Sequence, residues 1–176
     1  MSSGSLYLTE TIKSFRGMKS NAEKALAQLS DQELHFSPDP ESNSEVILMQ
    51  HLAGNMLSRF TDFLTSDGEK PDRNRDGEFI DRFTSREKLF EYWEKGWNCL
   101  LTAVQSLQES DLEKTVLIRN EEHTVIRALN RQMVHYAYHC GQIVFLAKLI
   151  KGKNFHNLSI PKGRSNDFTS TPPPSA

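Results

Sequence analysis

The sequence predicts an all-α protein, a four-helix bundle with a small β-hairpin before the last helix. Three observations carry this. Four segments of about 20–26 residues repeat apolar side chains at three- and four-residue steps, the period of a helix buried on one face. No series of alternating strands accompanies them. One pair of short β-branched runs stands before the fourth segment. Helices with apolar stripes and no sheet to pack on bury those stripes against one another.

The first helix is expected from Ser5 to Leu29, with Leu8, Ile12, Phe15, Met18, Ala22, Ala25 and Leu29 on one stripe. Ser30, Asp31 and Gln32 read as a stop and turn. The second is expected from Ser44, a residue suited to capping, to Leu64, with Ile47, Leu48, Leu52, Met56, Leu57, Phe60, Phe63 and Leu64 as its apolar face. Asp67 to Phe83 is rich in charge, carries Gly68, Pro71 and Gly77, and reads as a long ordered connection; its polar density also fits a mobile linker. The third helix, Ser85 to Ser106, is expected to bury Leu89, Tyr92, Trp93, Gly96, Trp97, Leu100, Leu101, Val104 and Leu107. Lys114–Ile118 and His123–Val125 flank Arg119-Asn120-Glu121-Glu122 as a hairpin. The fourth helix runs from Ile126 to Lys151 and stops at Gly152. Residues 1–164 thus form one domain, and 165–176, with Pro172 to Pro174, read as a disordered tail.

Composition excludes several classes. The 176 residues are 37% hydrophobic and 25% charged, enough for one core. Lys+Arg of 21 against Asp+Glu of 23 leaves −2, so no basic field points to nucleic acid. Cys99 and Cys140 are too few for a disulfide scaffold or a cysteine-rich zinc module. No basic, then apolar, leader opens the chain, and the longest apolar run, Ile143 to Ala147, cannot span a bilayer. A cytoplasmic protein with no membrane segment is expected.

The six histidines are the chemically interesting minority. His135 and His139 lie four apart in the fourth helix, about 400° of rotation and ~6 Å of rise, so both imidazoles face one way. That spacing offers two nitrogens to one metal ion. An HxxxH pair alone is common, and the residue after His135 is Tyr136, so the zinc-protease HExxH signature is absent. His51 lies mid-helix in the second segment, with Asn55, Ser58 and Asp62 on its face. Polar stripes centred on histidine in two helices of one bundle indicate a shared hydrogen-bond network or a site between them. Three imidazoles would leave coordination positions open, as in a catalytic ion site. Such ligands need acceptors for their second ring nitrogens. Asp62 is too far along the helix to serve His51, and no acceptor is identifiable from sequence. Gln142, Asn55 and Arg131 are candidate polar positioners. His123 could approach the open end of the bundle; His35 and His156 fall in loops. The cysteines read as small apolar packing residues.

Gln50-His51-Leu52-Ala53-Gly54-Asn55 and His135-xxx-His139-Cys140-Gly141-Gln142 resemble the DinB/YfiT-like superfamily of metal-binding four-helix bundles. Ser58–Leu64, Asp67–Pro71, Asn74–Phe79, Arg131–His139 and Leu158–Gly163 are similar to one branch of it classed as a domain of unknown function. Phe155 stands where that branch has Trp, another aromatic able to pack there. The resemblance spans about residues 5 to 168 and implies a divalent transition metal (zinc, nickel, iron or manganese) on His51, His135 and His139, and a homodimer. It further implies a thiol-dependent transferase or isomerase acting on a small-molecule substrate with a low-molecular-weight thiol. A metal-dependent hydrolase and a non-catalytic metal-binding stress-response protein are the alternatives. Given the resemblance, Arg73, Arg75, Asp76 and Glu78 are expected over the mouth of the bundle, against substrate or as a brace of ion pairs.

Overall fold

The computed structural model describes residues 2–167. Its elements are α1 (Ser3–Leu26), α2 (Asp31–Leu34), α3 (Glu45–Phe60), α4 (Arg86–Ser106), β1 (Thr115–Ile118), β2 (Glu121–Thr124) and α5 (Val125–Lys151). The four long helices form the bundle, and the single antiparallel hairpin stands directly before the last of them, as expected. No described helix is long and apolar enough to cross a membrane.

Polar side chains begin each helix. Ser2, Ser44, Ser85 and Thr124 each accept a hydrogen bond from a first-turn amide, satisfying a donor that the helix itself cannot. α1 stops at Leu26, three residues before Leu29. Arg86 explains the end: its guanidinium donates to the carbonyls of Leu29 (2.9 Å) and Leu26 (3.2 Å). The segment read as a simple stop is the short α2, closed by a capping box between Ser30 and Glu33. α3 ends at Phe60 and not at Leu64. Thr61 turns extended and Asp62 takes φ 50°, so residues 61–66 form a turn that sends the chain back along α3.

The helices pair chiefly as α1 with α5 and α3 with α4. Phe15, Trp93, Trp97, Tyr136, Leu52, Met56, Leu100 and Leu129 are among the large fully buried side chains of the core. α3 and α4 approach closely at Gly96, where an added Cβ would stand 2.7 Å from the Ala53 Cα. The hairpin turns tightly at Arg119 and Asn120, φ 57° and 60°, the two-residue left-handed turn that matches strand twist. The second strand therefore starts at Glu121, two residues before the sequence reading places it.

The charged 67–83 segment is not a linker. Asp67 accepts from the backbone amides of Arg119 (2.9 Å) and Asn120 (2.7 Å), tying its start to the hairpin turn. Ser58 and Arg59 on α3 both donate to the Gly68 carbonyl. The Gln50 amide nitrogen reaches the carbonyls of Gly77 (2.9 Å), Glu78 (2.8 Å) and Ile80 (2.9 Å). Asp76–Phe79 is a 3-10 turn within it. Of the tail expected from residue 165, Ser165–Asp167 form a 3-10 turn and residues 168–176 lie outside the described residues.

Candidate metal centre

α3 and α5 bring His51, His135 and His139 together: one ligand atom from each lies within 4.8 Å of the others. The ring centroids of His51 stand 5.3 Å from His135 and 5.0 Å from His139, and the two α5 rings are 4.7 Å apart. His51 is buried; His135 and His139 are half-buried, so the cluster has a wet side on α5.

Two of the three imidazoles have their second nitrogen committed. His51 Nδ1–H donates to Glu78 Oε2 at 2.9 Å, since an ionised carboxylate can only accept. His139 Nδ1–H donates to Gln142 Oε1 at 2.7 Å. Each bond fixes a tautomer in which Nε2 carries a free lone pair. His51 Nε2 then lies 3.3 Å from His135 Nε2. Burial, reinforced by the two neighbouring imidazoles, pushes the His135 pKa down to about 3, and burial also lowers that of His139. The bonds to Glu78 and Gln142 thus leave the Nε2 atoms of His51 and His139 as acceptors, burial disfavours charge on His135 and His139, and His135 Nε2 faces that of His51. This donor set suits a borderline divalent ion.

Glu78, expected over the mouth of the bundle, does form an ion-paired brace with Arg73; what sequence reasoning missed is that it is the acceptor for His51. It lies 27 positions from His51 on the pinned loop, and nothing in local spacing points to it. It is 6% exposed. Burial opposes its ionisation, but hydrogen bonds from His51 and Arg73 prevail and hold its carboxyl below the usual range. Arg73 grips both oxygens, Nε to Oε1 at 2.7 Å and Nη2 to Oε2 at 2.8 Å. Behind Arg73 stand Glu69 and Arg59, the latter pair at 2.9 Å. Phe79, the next residue, lays its ring 4.7 Å from that of His51. Arg75 and Asp76 are exposed on the same loop.

The remaining candidates divide. Gln142 touches the cluster. Asn55 is buried and its Oδ1 accepts from the Tyr136 hydroxyl at 3.0 Å, a core contact. Arg131 is exposed one turn from His135, with no hydrogen bond to the histidines among the described residues. His123 is buried at the hairpin, outside the cluster. Cys140 is buried and its thiol is pushed up to about 12, which suits packing and not nucleophilic attack.

Fold and site together define a helical bundle whose facing helices present a three-histidine cluster able to hold a metal ion. Residues 2–164 match the family described as "Protein of unknown function (DUF1572)", and the chain belongs to that family. Its fold is similar to that of a crystal structure described as the conserved protein of a locus from Enterococcus faecalis: TM-score 0.63, 17% identity, covering 87% of this chain and 99% of that one. A search of curated proteins found no match.

Proposed function

We propose that the protein is a divalent-metal-dependent enzyme whose ion rests on His51, His135 and His139, and that it transfers or isomerises a small molecule with a low-molecular-weight thiol. The observation that carries the reading is the preset tautomers: the His51–Glu78 and His139–Gln142 bonds turn two bare Nε2 atoms toward one point. A divalent ion there, zinc, nickel, iron or manganese, would supply a Lewis-acidic centre that lowers the pKa of a thiol or water brought to it. The chain's own part is to orient His51 and His139, disfavour charge on His135 and His139 by burial, and leave the α5 side open to solvent. Membership of the DinB/YfiT-like superfamily, which the HxxxH and Gln50–Asn55 motifs suggest, belongs to the same proposal.

Hydrolysis is the second reading, and one feature weighs against it. Activating water calls for a general base. Glu78 is the carboxylate bonded to the cluster, and its oxygens are taken by Arg73 and His51. A thiol needs only its pKa lowered.

We further propose that the expected homodimer uses the outer face of α5. Val134, Tyr138, Phe145 and Leu149 are 72%, 65%, 70% and 53% exposed there. An antiparallel copy related by a two-fold axis between Gly141 and Gln142 places Val134 opposite Leu149 and Tyr138 opposite Phe145, a self-complementary contact.

Elemental analysis of untagged protein, as isolated and after reconstitution, tests the metal. The intact chain is expected to retain a transition metal in near-stoichiometric amount. His135→Ala is expected to lose it while keeping its far-ultraviolet circular dichroism. An intact chain that holds none overturns the reading. Turnover without added thiol would favour the hydrolase.

A further inference from the structure

The cluster is completed from outside the two helices that carry it. We infer that Glu78, gripped by Arg73, is the positioning residue for His51, and that the pinned 67–83 loop is thereby an integral part of the ion site. This rests on the metal reading above and adds to it the device that sets how tightly the ion is held.

Three features make this a built arrangement. The first is the fork. Arg73 donates to both Glu78 oxygens, at 2.7 and 2.8 Å, while His51 donates to Oε2 at 2.9 Å. A bidentate guanidinium fixes the plane of the carboxylate, which cannot rotate away or turn toward the cluster as a ligand itself. The second is the cradle. Glu78 Oε1 lies only 2.5 Å from where a Cβ on Gly54 would stand, too close for one to fit. Gly54 lies mid-helix, where alanine would ordinarily be favoured by about 1 kcal/mol. Its lack of a side chain is what lets Glu78 lie against α3 one turn from His51. The third is the clamp. Gln50, next to His51 in sequence, holds the carbonyls on both sides of Phe79. His51 and the loop are thus fastened to the same turn of α3.

The chemical consequence follows from the tautomer. With its proton held on Nδ1 by a carboxylate, His51 must present Nε2, and the adjacent negative charge makes that nitrogen a stronger donor. Glu78 also offsets part of a dication's charge without leaving the loop. Because loop docking and ion retention share this bond, each strengthens the other by the same factor.

The test uses the full chain and cobalt(II), whose visible spectrum reports its ligand field. Glu78→Gln preserves shape but leaves Arg73 buried and unpaired, so the double variant Glu78→Gln with Arg73→Gln is measured beside it. Gly54→Ala, which displaces the carboxylate while leaving Glu78 itself unchanged, is the third. All are expected to bind cobalt(II) about 10–100-fold more weakly than the intact chain, with an altered spectrum. Arg73→Lys, which keeps the charge and loses the fork, is expected to fall between. Cobalt(II) is expected to slow amide exchange of residues 76–80 in the intact chain and not in the double variant. In metal-free protein, nitrogen-15 shifts of His51 are expected to report Nδ1–H in the intact chain and a mixture in the double variant. Equal cobalt affinity and spectrum in the intact chain and the double variant overturn the inference, as does a double variant that keeps His51 as Nδ1–H. An intact chain that binds no cobalt but loses the fixed tautomer on mutation overturns the metal reading alone and supports Glu78 as the residue that positions His51.

Discussion

Glu45 occupies the first turn of α3, and none of it is exposed. Its carboxyl oxygens make no well-formed hydrogen bond among the described residues, and the Ala147 backbone only partly offsets their desolvation. Desolvation raises its pKa from 4.5 to about 9, so the folded protein carries it as a neutral acid at pH 7. In the unfolded chain it ionises above about pH 4.5. The folded value is the higher one, so its stabilising contribution is complete below about pH 4.5 and is lost progressively as pH rises toward about 9. At ~1.4 kcal/mol per pH unit, the 2.5 units between 4.5 and 7 amount to about 3 kcal/mol. Glu45→Gln keeps the shape and never ionises, so it removes this penalty. Urea unfolding of both proteins at pH 5, 7 and 8.5 measures the difference. The variant is expected to be more stable by less than ~1 kcal/mol at pH 5 and by about 3 kcal/mol at pH 7, with a larger gain at pH 8.5. The pH 7 gain corresponds to roughly 6–12 °C in melting temperature for a chain of this size. A difference that does not grow with pH, or a variant less stable at pH 8.5, would show that Glu45 is solvated or paired and would refute the reasoning.

Other expectations follow from packing and surface. Gly96→Ala forces a Cβ to 2.7 Å from the Ala53 backbone and is expected to cost ~1–3 kcal/mol in urea unfolding. Gly17→Ala on α1 meets nothing within 4 Å and is expected to gain about 0.5–1 kcal/mol, so a stabilised Gly96→Ala would contradict the close α3–α4 approach. For the α5 face, Tyr138→Lys and Phe145→Glu are each expected to give monomers in sedimentation velocity. Combining them is expected to restore the dimer, because each new lysine meets the partner's new glutamate; two dispersing single variants with no rescue would refute the antiparallel register.

Helix count, order and inward faces were legible because each follows from contacts a few residues apart. Leu89, Trp93, Gly96 and Trp97 recur at the helical period, and that period alone says which side is buried. His135 and His139 share a face for the same reason. The helix ends were less legible. α1 stops where Arg86, 60 residues away, takes the Leu26 carbonyl, and α3 stops where Asp62 turns left-handed to return the loop. The site was legible only in part. Its three histidines lie on periodic helices, but Asn55, a plausible positioner by spacing, is spent on Tyr136. The acceptor for His51 comes from an aperiodic segment whose charges look like those of any solvated loop.

The sequence by itself determined the architecture, the face each helix buries and the three histidines turned toward a common interior, because helical periodicity is a local property of the chain. Only the tertiary structure decided that 67–83 docks, that Gly54 makes room for Glu78, and that Arg73 locks it against His51. Those outcomes depend on which charges lose water together, and that is settled by distances in space between residues that the chain order keeps far apart.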